Sequence, residues 1–258
     1  MRLSALLLGG LLAAGGAAAS GAADDSWAAR AQAGFAKTTG NTDTTTANLL
    51  FHAAHVVGQW KYLVGLEGLY GATTGETTAQ AWSAHLQANY NLTERLYAYG
   101  GLRDDDDRFS GFAYQQTLSA GAGYQFVKSD ATKLTGQVGA GVRRLRPEIL
   151  VKDQIGGVTS RTELAATTDA VLDAAVNYEH AFNDATKVLA AASVESGRAN
   201  TLTKASAGLQ VKMTSVLALA AAVQLVRNSN PPLGAKNTDT LSTLSLVYEF
   251  KNPQLAPE

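Results

Sequence analysis

Leu244, Leu246, Tyr248 and Phe250 alternate with Ser245, Val247 and Glu249. A period of two is the period of a β-strand, so this segment predicts a strand with one oily face. The same parity recurs along the chain. Trp27, Ala29, Ala31, Ala33 and Phe35 oppose Arg30 and Gln32, and Trp82, Ala84, Leu86, Ala88 and Tyr90 oppose Ser83, His85, Gln87 and Asn89. Leu118, Ala120, Ala122, Tyr124 and Phe126 oppose Gln115, Thr117, Ser119 and Gln125. From Glu163 to His180, Leu164, Ala166, Ala170, Leu172, Ala174, Val176 and Tyr178 oppose Glu163, Asp169, Asp173, Asn177 and Glu179. Alternating, aromatic-tipped segments of about ten residues are the signature of a barrel that crosses a membrane with strands.

A soluble sandwich or lipocalin-like barrel also alternates, but it fills its inside with apolar side chains. Here the polar parity carries charges in strand after strand, which favours lipid outside and water or ion pairs inside. Beyond the leader no segment approaches the roughly 20 apolar residues of a membrane helix. A closed barrel is the other way to pair every backbone polar group in hydrocarbon. The 5 prolines fall outside the inferred strands, as barrel walls require. A formal net charge of -1 gives no hint of nucleic acid.

The leader reads as a secretory signal. Arg2 precedes an apolar stretch from Leu6 to Ala14, and small residues follow from Gly15 to Ala23 before Asp24 and Asp25. Residues 1–23 are the expected signal, cleaved after Ala22 or Ala23, and 24–258 the expected barrel domain. A cytosolic chain with a greasy helical start is the alternative. Without cysteine, neither a lipid anchor on Cys nor a disulfide framework can form.

About twelve antiparallel strands follow from the parity, beginning near Trp27, Thr44, Trp60, Thr77, Arg95, Tyr114, Lys133, Arg161, Lys187, Thr201, Val216 and Asp239. About ten is the alternative, because Arg95 to Arg103 and Lys187 to Glu195 are short. Short turns at Val57–Gln59, Asn91–Glu94, Val127–Thr132, Phe182–Thr186 and Thr214–Ser215 face one side. The other side includes longer polar loops, such as Asp104–Phe112, Pro147–Ser160 and Asn228–Thr238, and is the expected extracellular side.

The chain also resembles a known group. Gly40-Asn41-Thr42, Trp60, Tyr97-Ala98-Tyr99, Asp107-Arg108-Phe109, Gly121-Ala122-Gly123-Tyr124, Asp239-Thr240 and Tyr248-Glu249-Phe250 resemble the YdiY-like family. Its members are labelled salt-induced outer-membrane proteins, and their function is largely undefined. The resemblance covers essentially the whole mature chain and implies an outer-membrane barrel, but no chemistry. The tail from Lys251 to Glu258 departs from the many barrels that stop at the final aromatic.

Candidate site residues fall into three sets. Asp104, Asp105, Asp106 and Asp107, between Arg103 and Arg108, could gather a hard divalent cation if they share a loop. Their spacing is not that of an EF-hand, and a solvated acidic loop is the alternative. The expected lumen set is Arg30, Lys61, Glu67, His85, Arg143, Glu163, Asp169, Asp173, Glu179, Glu195, Lys204 and Lys212. If the lumen is open, its acidic members favour cations; if closed, the set forms a salt-bridge network. Ser83 and His85 share a face, yet the His-x-Ser arrangement of a barrel phospholipase is missing, so no catalytic residue is expected. The histidines lack metal-site spacing and no cofactor is expected. Trp27, Trp60, Trp82 and Tyr90 suit interface girdles.

The functional expectation is therefore a monomeric outer-membrane barrel forming a narrow channel for ions or small polar solutes. The alternatives are a closed barrel supporting the envelope under osmotic stress, and a lipid-acting enzyme. The expected partners are outer-membrane lipids, the insertion machinery acting on the strand that ends at Phe250, and small solutes or divalent cations.

Overall fold

The computed structural model describes residues 25–38 and 43–251. The expected signal at 1–23, the turn at Gly40-Asn41-Thr42 and the tail beyond Lys251 lie outside them. Thirteen strands follow one another: β1 (Asp25–Thr38), β2 (Thr44–Val57), β3 (Trp60–Thr73), β4 (Glu76–Asn91), β5 (Leu96–Asp107), β6 (Phe112–Lys128), β7 (Thr132–Lys152), β8 (Val158–Glu163), β9 (Thr167–Ala181), β10 (Thr186–Gly197), β11 (Thr201–Lys212), β12 (Leu217–Asn228) and β13 (Thr238–Lys251). Each ring strand pairs antiparallel with its neighbours. β1 meets β13, with Ala29 opposite Phe250 and Ala31 opposite Tyr248, and this closes the sheet. β8 pairs with β7 alone, outside the ring. The result is a closed antiparallel barrel of 12 strands.

Closure explains why β5 and β10 belong to the ring, against the ten-strand alternative. Each has 12 residues and is paired along both edges. Three boundaries differ from those the parity predicts. The loop expected from Pro147 starts only after Lys152, because β7 runs on through Pro147, which pairs with Phe112 of β6. The strand expected from Arg161 begins at Thr167, and Arg161 and Glu163 lie on β8, a short hairpin partner of the β7 extension. Likewise β5 continues through all four aspartates, because Asp104–Asp107 keep their ladder with Ala81–Ala84 of β4. The loop there is only 108–111.

The wall is inverted relative to a soluble barrel. Outside stand Trp27, Leu49, Leu86, Leu102, Leu118, Val138, Leu172, Leu244, Leu246, Tyr248 and Phe250, all exposed. Leu172 is 68% exposed, whereas Arg143 is wholly buried. At the turn end the aromatic side chains form contacts: Trp27 stacks on His55 (4.1 Å), Trp60 meets Tyr90 edge-on (5.0 Å) and Tyr124 meets Phe126 (5.2 Å). Amphipathic rings at one level of an apolar wall are the arrangement of an interface girdle.

At the loop end three segments interlock. The Glu148 N–H donates to the Gly111 carbonyl (2.8 Å), the Leu150 N–H to that of Leu233 (3.1 Å), and Lys152 Nζ to that of Phe109 (3.2 Å). Arg161 bonds Glu148 (2.7 Å) and the Arg108 carbonyl. Phe112 and Leu150 are buried beneath this cover.

Candidate functional site

Side chains from strands that are not neighbours can meet only across the interior, so such contacts identify the inward face. Arg103 on β5 pairs with Glu195 on β10 and with Asp105 on its own strand (2.7 Å). Asp105 also accepts from Lys204 on β11 (2.9 Å). Glu195 accepts from Thr117 on β6 (3.1 Å) and lies 3.9 Å from Arg143 on β7. Arg143 donates to the Asn200 carbonyl, and Asn200 bonds Asn228 (2.6 Å). Below this knot the Tyr99 hydroxyl donates to Asp173, and Gln137 accepts from Gln87 (3.4 Å) and Tyr97 (3.5 Å). Two arginines, a lysine and two carboxylates thus share buried charges, and the hydrogen bonds offset desolvation that an isolated ion could not bear.

The knot leans on the β5–β7 and β9–β11 wall, and space remains beside it. A cavity of ≈ 570 Å³ lies toward the turn end, lined by Arg30, Lys61, His85, Lys133, Glu179, Lys187 and Glu249 among others. A second of ≈ 1060 Å³ lies toward the loop end, where Glu67, Asp105, Asp107, Lys204 and Asp239 project. Arg30, His52, Lys133, Thr135, Asn177 and Glu179 line both, so the two adjoin.

The expected lumen residues divide as follows. Arg30, Lys61, His85 and Glu179 line the turn-end cavity, and Glu67 lines the other, 3.8 Å from His52. Arg143, Asp173, Glu195 and Lys204 join the interior network, while Asp169 accepts the Ala199 N–H (2.8 Å). Lys212 ends β11 and lines neither cavity. Glu163 is on β8, exposed and bonded to Arg146 (2.7 Å), outside the ring altogether.

The four aspartates do not form one cluster. Successive strand residues point to opposite faces, so Asp105 and Asp107 turn inward. Asp104 and Asp106 turn out, where Gln116 donates to Asp104 (3.3 Å). Among the described residues no group of three or more His, Asp or Glu is placed to hold a metal ion. Ser83 faces Asp105, its register partner, and His85 meets His52 edge-on at 5.5 Å.

Several interior residues escaped the sequence reading. Arg103 shares the parity of Tyr97 and Tyr99, and Glu249 lies between two outward aromatics, so parity alone could have found them. Lys133 and Lys187 open strands directly after turns, where parity has little run to act on. Nothing local marks Asn200, which is buried because its loop tucks toward Arg143.

Comparison with known proteins adds the following. The family described as "Protein of unknown function, DUF481" matches residues 31–250. The chain is 26% identical over 224 residues to the uncharacterized protein YdiY of Escherichia coli strain K12, covering 84% of this chain and 81% of that one. Among solved structures, the NanC porin is 12% identical with a TM-score of 0.46, over 85% of this chain and 97% of that one. The translocator domain of the autotransporter NalP from Neisseria meningitidis is 16% identical with a TM-score of 0.43, over 87% of each chain.

Proposed function

The chain belongs to the DUF481 family, whose function is unknown, and from that premise we propose that it is an outer-membrane barrel forming a narrow channel for ions or small polar solutes. The observation that carries the reading is the pair of adjoining cavities beside the knot, ≈ 570 and ≈ 1060 Å³ in volume, each lined in part by charged side chains. They extend the polar interior from the turn end toward the loop end past buried charges held fixed by one another. The apolar exterior and the turn-end aromatics support insertion in a bilayer. The turn end would face the periplasm, with Phe250 on the closing strand available to the insertion machinery and residues 1–23 acting as the export signal.

The experiment is single-channel recording of the refolded protein in a planar bilayer. Discrete conductance steps support the channel. Silence from protein that still runs as a heat-modifiable band overturns it in favour of a closed structural barrel. The cover made by Gly111, Leu150 and Leu233 favours that second reading at the loop end, since it narrows the mouth.

A further inference from the structure

The turn-end cavity is unbalanced in charge. Four cationic side chains line it, Arg30, Lys61, Lys133 and Lys187, against two carboxylates, Glu179 and Glu249. Glu249 is already committed, because it accepts from Lys187 (3.1 Å) and from Gln210 (2.8 Å). Arg30 lies in the field of both carboxylates but, among the described residues, its guanidinium bonds only Gln32 (3.1 Å) and its Nε finds no acceptor. Among the described residues no carboxylate comes within ion-pair distance of Lys61 or Lys133. Both ammonium groups line the same cavity. Two like charges facing the same cavity are unfavourable unless something of opposite sign lies between them.

In the knot each cation is answered. Arg103 has Glu195 and Asp105, Lys204 has Asp105, and Arg143 has Glu195 and the Asn200 carbonyl. The pair without a salt bridge is confined to the cavity nearest the turn end, where Lys133 stands opposite Glu179 in the β7–β9 ladder and is exposed at the rim. We infer that this cavity is a binding vestibule for a small dianionic solute, one carrying a phosphate or paired carboxylates, clasped by Lys61 and Lys133 with Arg30 beside them. The excess of two positive charges matches a dianion. Ammonium and guanidinium donors make charge-assisted hydrogen bonds to such oxyanions. A charged cleft with low-dielectric walls concentrates counter-ions of the opposite sign, and rings of Lys and Arg are how pores select anions. The inference rests on the channel reading for its biological sense, but the binding site stands or falls separately.

The test uses the refolded protein in zwitterionic micelles at low ionic strength, titrated calorimetrically with inorganic phosphate. Saturable binding is expected that weakens as sodium chloride is added, since screening acts on an open site. Lys61→Gln/Lys133→Gln should weaken it by about tenfold or more. Glu179→Gln removes a carboxylate and should tighten it, which guards against a double variant that merely misfolds. No saturable binding, or an affinity unmoved by both variants, overturns the inference. Reversal potentials across a bilayer under a potassium chloride gradient separate the two claims. Anion preference that is lost in the double variant supports both. Cation preference without phosphate binding leaves the channel and removes the vestibule. Phosphate binding that responds to the variants in a protein without conductance keeps the vestibule and removes the channel.

Discussion

Tyr99 shows how tightly the interior is fitted. Its hydroxyl reaches Asp173, and it lies where Gly121 and Gly139 leave room; a Cβ at Gly121 would crowd its ring and the Val138 carbonyl, and one at Gly139 its hydroxyl. Tyr97 covers Gly123 in the same way. The glycines are there for close approach, and an aromatic side chain fills the gap each leaves in the wall. Tyr99→Phe should destabilise the barrel by about 1–3 kcal/mol, the cost of leaving a buried acceptor without its donor. Urea unfolding in lipid vesicles measures it. Glu195→Gln should cost on the order of 3 kcal/mol in the same assay, because Arg103 and Arg143 would lose their shared carboxylate. Glu163→Gln is the contrasting case. That side chain is 57% exposed on the β7–β8 hairpin, and a surface pair contributes about 0–1 kcal/mol. Equal losses for Glu195→Gln and Glu163→Gln would refute the placement of the one inside and the other out.

The β7–β8 hairpin is the element that departs most from a plain up-and-down barrel. The β7–β9 ladder runs from Thr132 and His180 to Leu145 and Thr167 without it, so the ring does not need it for closure. Replacing residues 149–164 with a short turn should leave the heat-modifiable band in place and raise the conductance, because the Leu150–Leu233 link over the loop end disappears. A variant that no longer folds would show instead that Leu150 and its cover belong to the core. The hairpin was hard to read from the residues. Val158-Thr159-Ser160-Arg161-Thr162-Glu163 carries no oily face, since it is never presented to lipid or packed on both sides. Parity therefore ran straight on into β9. The aspartates misled in the opposite way: four adjacent charges look like a loop, yet the ladder to β4 holds them in a strand.

At the scale of the molecule, an inverted barrel makes a prediction about its tryptophans. The chain has 3, and Trp27, Trp60 and Trp82 are all exposed on the outer wall. In vesicles containing brominated lipids their fluorescence should be quenched, with Trp27 and Trp60, from the turn-end girdle, quenched most by bromines placed near the headgroups. A soluble barrel would show no dependence on lipid bromine. Fluorescence unaffected by any brominated lipid would remove the membrane reading.

The residues alone determined the ring. Period-two alternation settles which side chains face out, and the strands it marks must close, because an open edge cannot be left in hydrocarbon; that twelve rather than ten do so rests on the pairing of β5 and β10 along both edges. That is why the strands beginning at Thr44, Trp60, Thr201 and those beside them were legible, together with the inward parity of Arg30, Arg143, Asp173 and Lys204. What the interior does with its charges was decided only by closure. Asp105 and Lys204 are 99 positions apart in the chain, and Tyr99 and Asp173 are 74. They meet because the sheet curls through its own tilt until β5 faces β9, β10 and β11. Parity assigns a side chain to a face but carries no information on which residue waits across the lumen. So the pairing of Arg103 with Glu195, and the lack of any such carboxylate for Lys61 and Lys133 among the described residues, belong to the tertiary structure.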